Sequence, residues 1–302
     1  MFFNRPHPTA QVMDTIRRCE PPVMFLVQDG PRPTHPDDEA LCATTRAIAE
    51  NIDWECDVHR IYAETNMGVR ERFLSGLDQV FDTVDSAIIL EDDCLPDDSF
   101  FPFCRELLDR YADDNRVGII SGNNFLRGVR VSEDSYFFTP DVRIWGWATW
   151  RRVWQDFSAA EKNLNREGAT RKQAVNRLHS PTRRRSMARM ATLIDSLDTW
   201  DVSFVLHCLS RGYINVTPAV NLVRNIGFGA QSTHTSFHSF TDDIPTHPMS
   251  FPLRHPVDVV DRVDAGRVEA KAHRRLWLSF PLRHPVDFTG RVVGYLWRKV
   301  FR

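Results

Sequence analysis

Over the first 124 residues, short apolar runs alternate with longer stretches in which apolar positions recur every three or four residues. The runs Val23 to Val27, Ala87 to Leu90 and Val117 to Ile120 are apolar throughout, the pattern of strands covered on both faces, and Asp57 to Ala63 reads as a fourth. Between them, helices are predicted from Thr9 to Cys19, from Pro36 to about Asn51, from Val69 through Phe73, Leu77, Val80 and Phe81, and from Phe100 to Tyr111. Strand and helix in alternation predict an α/β class, with a mixed, mostly parallel central sheet flanked by helices. Phe2 and Phe3, just before Asn4-Arg5-Pro6, read as the last residues of a further strand whose beginning is absent.

Open α/β sheets bind ligands in the crevice beyond the carboxyl ends of their strands. Those ends are polar here: Arg5 after the first strand, Asp29 after Val23 to Val27, Asn123 after Val117 to Ile120, and Glu91, Asp92 and Asp93 after Ala87 to Leu90. Three carboxylates packed at one strand end repel and desolvate one another, so the cluster calls for a cation or for ligand hydroxyls. Magnesium or manganese bridging to a phosphate is the common solution, because these hard ions need only one or two protein carboxylates. A Cys-Leu-Pro turn separates the cluster from the next helix, where Asp97, Asp98 and Ser99 read as caps. No GxGxxG and no Walker loop occurs, which sets aside dinucleotide dehydrogenases and P-loop enzymes.

The pattern changes at RIWGWATWRRVW, residues 143 to 154. Trp147, Trp150 and Trp154 have helical spacing; Trp150 and Trp154 are expected in the core, and Trp145 and Trp147 are candidates to stack on a sugar. Residues 160 to 197 read as an Arg-rich, solvated helical region. Trp200-Asp201 opens an apolar helix, Val202 to Leu209, followed by a strand, Tyr213 to Thr217. Asp201 is either a helix cap or a general base in an aromatic-lined pocket. Residues 221 to 239 are glycine-punctuated and rich in hydroxyls, amides and His, which suits closure over a phosphate-bearing ligand with Gly227 and Gly229 as hinges. The nonapeptide SFPLRHPVD occurs twice, at 250 to 258 and 279 to 287, too few units for a solenoid.

Composition sharpens this picture in three respects. The 302 residues suffice for one large domain, expected over 1 to 240, with 241 to 302 as a basic C-terminal extension. The formal charge of −2 hides an asymmetry: Lys271 to Arg302 carries eight Lys or Arg against Asp287 alone, so this tail is +7 and the remainder −9. In its last part Val292, Val293, Leu296, Trp297, Val300 and Phe301 stand against Arg291, Arg298, Lys299 and Arg302, the pattern either of peripheral membrane contact or of docking onto its own domain. Six cysteines without a CxxC pair argue for a reducing compartment and against a disulfide scaffold or structural zinc. No apolar run approaches the roughly 18 residues that span a bilayer. The expected location is cytoplasmic, or peripheral to the inner face of the membrane, with no nucleic-acid partner.

Several of these motifs, in this order over residues 2 to 240, resemble the GT-A nucleotide-diphospho-sugar transferases, and the N-acetylglucosaminyltransferase I family in particular is similar. FNRP resembles the end of the first GT-A strand, FLVQDG the second strand, and RFLSGLDQVF followed by AIILEDDCLPDDSFF the acidic motif and the helix before it. IISGNN, WGWATW and TWD resemble the acceptor half, and NIGFGAQSTHT the mobile loop. The resemblance implies a GT-A (Rossmann-like) fold and an inverting glycosyltransferase that uses Mn²⁺ or Mg²⁺, a nucleotide-diphospho-sugar donor, here a UDP-sugar, and a glycan or lipid-linked acceptor. It places Arg5, Asp29, Glu91, Asp92 and His234 against the donor, Asp93 on the metal, and Asp201 as the catalytic base; Trp147 falls in the acceptor half. Arg72 stands where the family has a nucleotide-contacting histidine, a departure that bears on the choice of base. Two alternatives are a sugar-phosphate nucleotidyltransferase and a non-catalytic carbohydrate-binding protein on the same fold.

Overall fold

The computed structural model describes residues 1–162, 174–194, 198–227 and 244–283. Helix α1 (Pro6–Cys19) begins with a proline at its first position, where the missing N–H costs nothing, and ends at Glu20 in the left-handed region. Strand β1 (Val23–Gln28), α2 (Asp38–Ala49), β2 (Asp57–Tyr62) and α3 (Val69–Thr83) follow, the last entered through Gly68 at φ 84°. Then come β3 (Ser86–Ile89), β4 (Cys94–Pro96), α4 (Phe100–Arg110), β5 (Val117–Ser121), β6 (Tyr136–Thr139) and β7 (Trp147–Trp150). The described chain is completed by α5 (Arg151–Lys162), α6 (Pro181–Leu193), α7 (Asp201–Arg211), β8 (Ile214–Pro218), β9 (Val223–Asn225) and α8 (Val263–Arg283).

The class is α/β as expected, but the central sheet is not mostly parallel. Its five strands run in the order β3-β7-β5-β8-β6, and only the β5/β8 pair is parallel. The difference comes from two strands that the sequence pattern conceals. Trp147 and Trp150 have helical spacing but are the ends of β7, which threads antiparallel between β3 and β5. β6, the fully buried Tyr-Phe-Phe-Thr run, pairs antiparallel with β8. Parallel pairing does hold between β1 and β2, in register from Val23 with Asp57 to Gln28 with Tyr62. A short antiparallel ribbon, β4 with β9, projects just after the acidic motif.

The β1/β2 pair and the five-stranded sheet are separate. β1 and β3 both line a largely apolar cavity of about 650 Å³, shared with Val12 and Ile16 of α1 and Leu77 and Val80 of α3. Met1 and Phe2 also line it: the Met1 amine donates to Leu90 O at 3.0 Å, and the Phe2 amide donates to Val27 O at 3.0 Å.

An aromatic core is built on β7, α3, α5 and α7. Trp147, 1 % exposed, stacks on Trp200, which stacks in turn on Phe73 of α3 with ring centroids 4.4 Å apart. Trp154 joins them and donates its indole N–H to Asp78 at 2.9 Å. Trp147 is therefore a core residue and not a platform for an acceptor sugar. Residues beyond 243 also join this core: Met249 and Leu253 are buried in it, Arg262 N donates to Phe138 O at 2.7 Å, and Arg143 pairs with Glu269 of α8. No helix among the described residues is long and apolar enough to cross a membrane.

Trp147→Ala is expected to lower stability by about 3 to 5 kcal/mol in urea denaturation, the cost of emptying a buried aromatic site. A loss below about 0.5 kcal/mol, as for a surface position, would show that the ring is not part of the core.

Candidate functional site

β3 ends in the core at Ile89, and the acids that follow stand beyond its carboxyl end. They are held by the segment leading into α1. Arg5, the residue before α1, spreads its guanidinium across two of them: Nη1 donates to Asp93 Oδ2 at 2.9 Å, Nη2 to Asp92 Oδ1, and Nε to Asp92 Oδ2 at 3.4 Å. Asp92 also accepts from the Phe3 amide at 3.3 Å. Its side chain is 4 % exposed, against 14 % for Asp93. Burial, and then Asp93, raise the pKa of Asp92 against the opposing pull of Arg5. Glu91 lacks the direct pairing with Arg5 that Asp92 and Asp93 have; burial first, then Asp93 and Asp92, push it up to about 8.

The ribbon β4/β9 brings two more residues to Asp93. Cys94 pairs with Asn225, and Asn225 Nδ2 donates to Asp93 Oδ1 at 3.3 Å while its own Oδ1 accepts from Gly227 N at 2.8 Å. The Ile226 amide donates to Asp93 O at 2.7 Å. Gly227 then passes so close that a Cβ there would lie 2.2 Å from Asp93 Oδ2. Its smallness thus allows its close approach to the acid. The sequence contained no signal for Asn225, because the three-residue pairing that places it has no periodicity to detect.

Asp29 and Arg72 form a neighbouring group at the end of β1. Asp29 accepts from Gly30 N and Met67 N at 2.9 Å and from Asn66 Nδ2 at 2.9 Å. Burial raises its pKa although the Met67 and Gly30 amides work against the shift. Arg72, buried in α3, donates to Ile61 O at 2.9 Å, and its Nε is left without a hydrogen-bond partner. Burial lowers its pKa, with Asp29 opposing. The two groups are joined through adjacent residues: the Asp29 amide donates to Phe2 O at 3.3 Å, and Phe3 N holds Asp92.

Asp201 stands apart. Ile89 at the end of β3 pairs with Trp147, and Trp147 stacks on Trp200, so α7 opens at the same end of the sheet as the acids. Half-buried Asp201 nevertheless spends its Oδ1 locally, accepting from Val202 N at 2.8 Å and from the Thr199 hydroxyl. Among the described residues no hydrogen bond or ion pair joins it to Arg5 or to the acids. Asp97 and Asp98 do not cap α4: Asp97 accepts from Ser99 N at 3.0 Å in a turn, and Asp98 pairs with Arg18 at 2.8 Å. His234, Gly229 and the final amphipathic stretch 291 to 302 lie outside the described residues.

The chain matches no protein-family model and no curated protein.

Because Glu91 keeps its proton to about pH 8 when folded but releases it near 4.5 when unfolded, the folded state binds more protons between those values. Glu91's contribution to stability then falls as pH rises through that window. Urea titrations between pH 5 and 8 should show this slope in the wild type and a flatter one in Glu91→Gln; equal slopes would place the proton elsewhere.

Proposed function

We propose that the chain is a metal-dependent inverting glycosyltransferase, moving a sugar from a nucleotide-diphosphate donor, foremost a UDP-sugar, to a hydroxyl of a glycan or lipid-linked acceptor. The observation that carries this reading is the juxtaposition of two polar groups, each following a strand of a different sheet: Arg5 with Asp92 and Asp93, and Asp29 with Arg72, bridged by Phe2 and Phe3. A forked guanidinium beside carboxylates suits a diphosphate. A buried acid and an arginine with one unpaired N–H suit the polar edge of a nucleoside.

Asp93 would offer a hard divalent ion one carboxylate. Asp93 presents a carboxylate at the rim, and the described residues contain no cluster of three or more His, Cys, Asp or Glu that would enclose a metal. Mg²⁺ or Mn²⁺ commonly takes one or two carboxylates and completes its shell with phosphate oxygens and water. Held by Asp93, such an ion would neutralise charge on the departing diphosphate. Arg5 would grip the same diphosphate, and Asp29 and Arg72 would orient the nucleoside. Asp201 would take the proton of the attacking hydroxyl through the oxygen that it does not spend on Val202 and Thr199.

A thermal-shift panel of nucleotide-sugars with and without Mn²⁺ tests this reading, since a ligand at a hundred times its Kd stabilises the native state by about 2.7 kcal/mol. Asp93→Ala should fold and lose the Mn²⁺-dependent part of the shift. Asp201→Asn should keep the shift and lose turnover by about 10²- to 10⁴-fold, the range of general-base catalysis. No shift with any nucleotide-sugar in the wild type would refute the proposal.

A further inference from the structure

We infer that Arg5 is a removable counter-ion: without donor it shuts the acid cluster against divalent cations, and it opens the cluster by transferring its fork to the donor's diphosphate. This rests on the glycosyltransferase reading and adds to it an order of events.

Both oxygens of Asp93 are already taken. Oδ2 accepts from Arg5 at 2.9 Å, while Oδ1 faces Asn225 Nδ2 at 3.3 Å and Cys94 Sγ at 3.6 Å. The carboxylate has little room to turn away, because Gly227 lies against it and Ile226 N pins its backbone at 2.7 Å. A metal approaching Asp93 therefore meets the guanidinium on the oxygen it needs. Arg5 is the partner able to leave. Its side chain is 23 % exposed, and its backbone, at φ −115° and ψ 84°, lies outside α1. Asp92, 4 % exposed and fixed by Phe3 N, cannot follow it.

Departure of Arg5 with nothing in exchange would leave Asp92 and Asp93 unpaired beside Glu91, an expensive arrangement in a desolvated site. A diphosphate changes that balance by offering the planar guanidinium a second bidentate acceptor of higher charge. The vacated Asp93 Oδ2 and the phosphate oxygens then become available to one ion together. Metal and diphosphate consequently bind with positive coupling, which must be reciprocal. Direct ligation of the metal by phosphate would also produce coupling, so the reading specific to Arg5 is the affinity of the metal alone.

The test is a Mn²⁺ titration followed by electron paramagnetic resonance of the free ion, on the wild type, Arg5→Gln and Arg5→Lys, with and without UDP. In the wild type UDP should tighten Mn²⁺ by about tenfold or more, within the usual span of coupling between sites. Arg5→Gln should bind Mn²⁺ alone about tenfold more tightly than the wild type, show a larger Mn²⁺-induced rise in Tm, and bind UDP more weakly. Arg5→Lys, a point charge without the fork, should fall between them and covers the case in which Arg5→Gln does not fold. Folded Arg5 variants whose affinity for Mn²⁺ alone is unchanged or weaker, in a protein whose wild type binds UDP with Mn²⁺, would overturn this inference and leave the glycosyltransferase reading standing. A wild type that takes up neither UDP nor Mn²⁺ overturns both.

Discussion

Three carboxylates follow β3 with no residue between them, and at that density each must be neutralised, paired or solvated. The chain uses the first two remedies. Glu91 retains its proton, Asp92 is paired at depth, and Asp93 shares the same guanidinium at the rim. Much of the surrounding architecture is the means of delivering that one guanidinium. Pro6 starts α1 immediately after Arg5, Asn4 is tied to Asp38 of α2 at 2.7 Å, and Phe2 and Phe3 are hydrogen-bonded to the ends of β1 and the acidic motif. A cation required at the sheet edge thus fixes the entry of the chain, and with it the seat of the first helix.

The segment that carries Asp201 obeys a different constraint. α7 is located by stacking: Trp200 lies between Trp147 and Phe73, and Phe204, one turn later, packs on Trp147 and Trp154. Rings packed in this way allow little sliding, so the start of α7, and Asp201 with it, is held by apolar contact rather than by charge. Electrostatics therefore positions Arg5 and the acids, and packing positions Asp201.

The periodic helices and the apolar strands were legible because each carries its own pattern: α1, α2, α3 and α4, and β1, β2, β3 and β5, fall within a few residues of where the pattern puts them. The elements that make the sheet mixed were not. β4 and β9 are three residues long, β6 is four aromatic and polar residues with no alternation, and β7 carries tryptophans at a spacing that a helix would share. The repeated nonapeptide makes the same point. Its first copy is irregular chain with Leu253 in the core and His255 between Tyr136 and Glu106, whereas residues 279 to 283 of the second copy are the end of α8. Identical residues take different structures because their neighbours differ. Within the site, the acids and Arg5 were legible as charges at strand ends. Asn225 and the closeness of Gly227 were not, since both depend on a pairing between residues about 130 positions apart.

The gap between β1 and β3 has a mechanical meaning. The strand pair that carries Asp29 and the sheet that carries Asp93 are two rafts, lashed together by helices and by Met1 to Phe3 rather than by a continuous ladder of hydrogen bonds. A continuous sheet resists shear along its strands; two rafts over an apolar slot resist it only as well as their side chains pack. On the proposed reading, the spacing between the nucleoside end and the diphosphate end of a donor would be set at a soft joint, and a ligand gripping both ends would itself supply the missing stiffness.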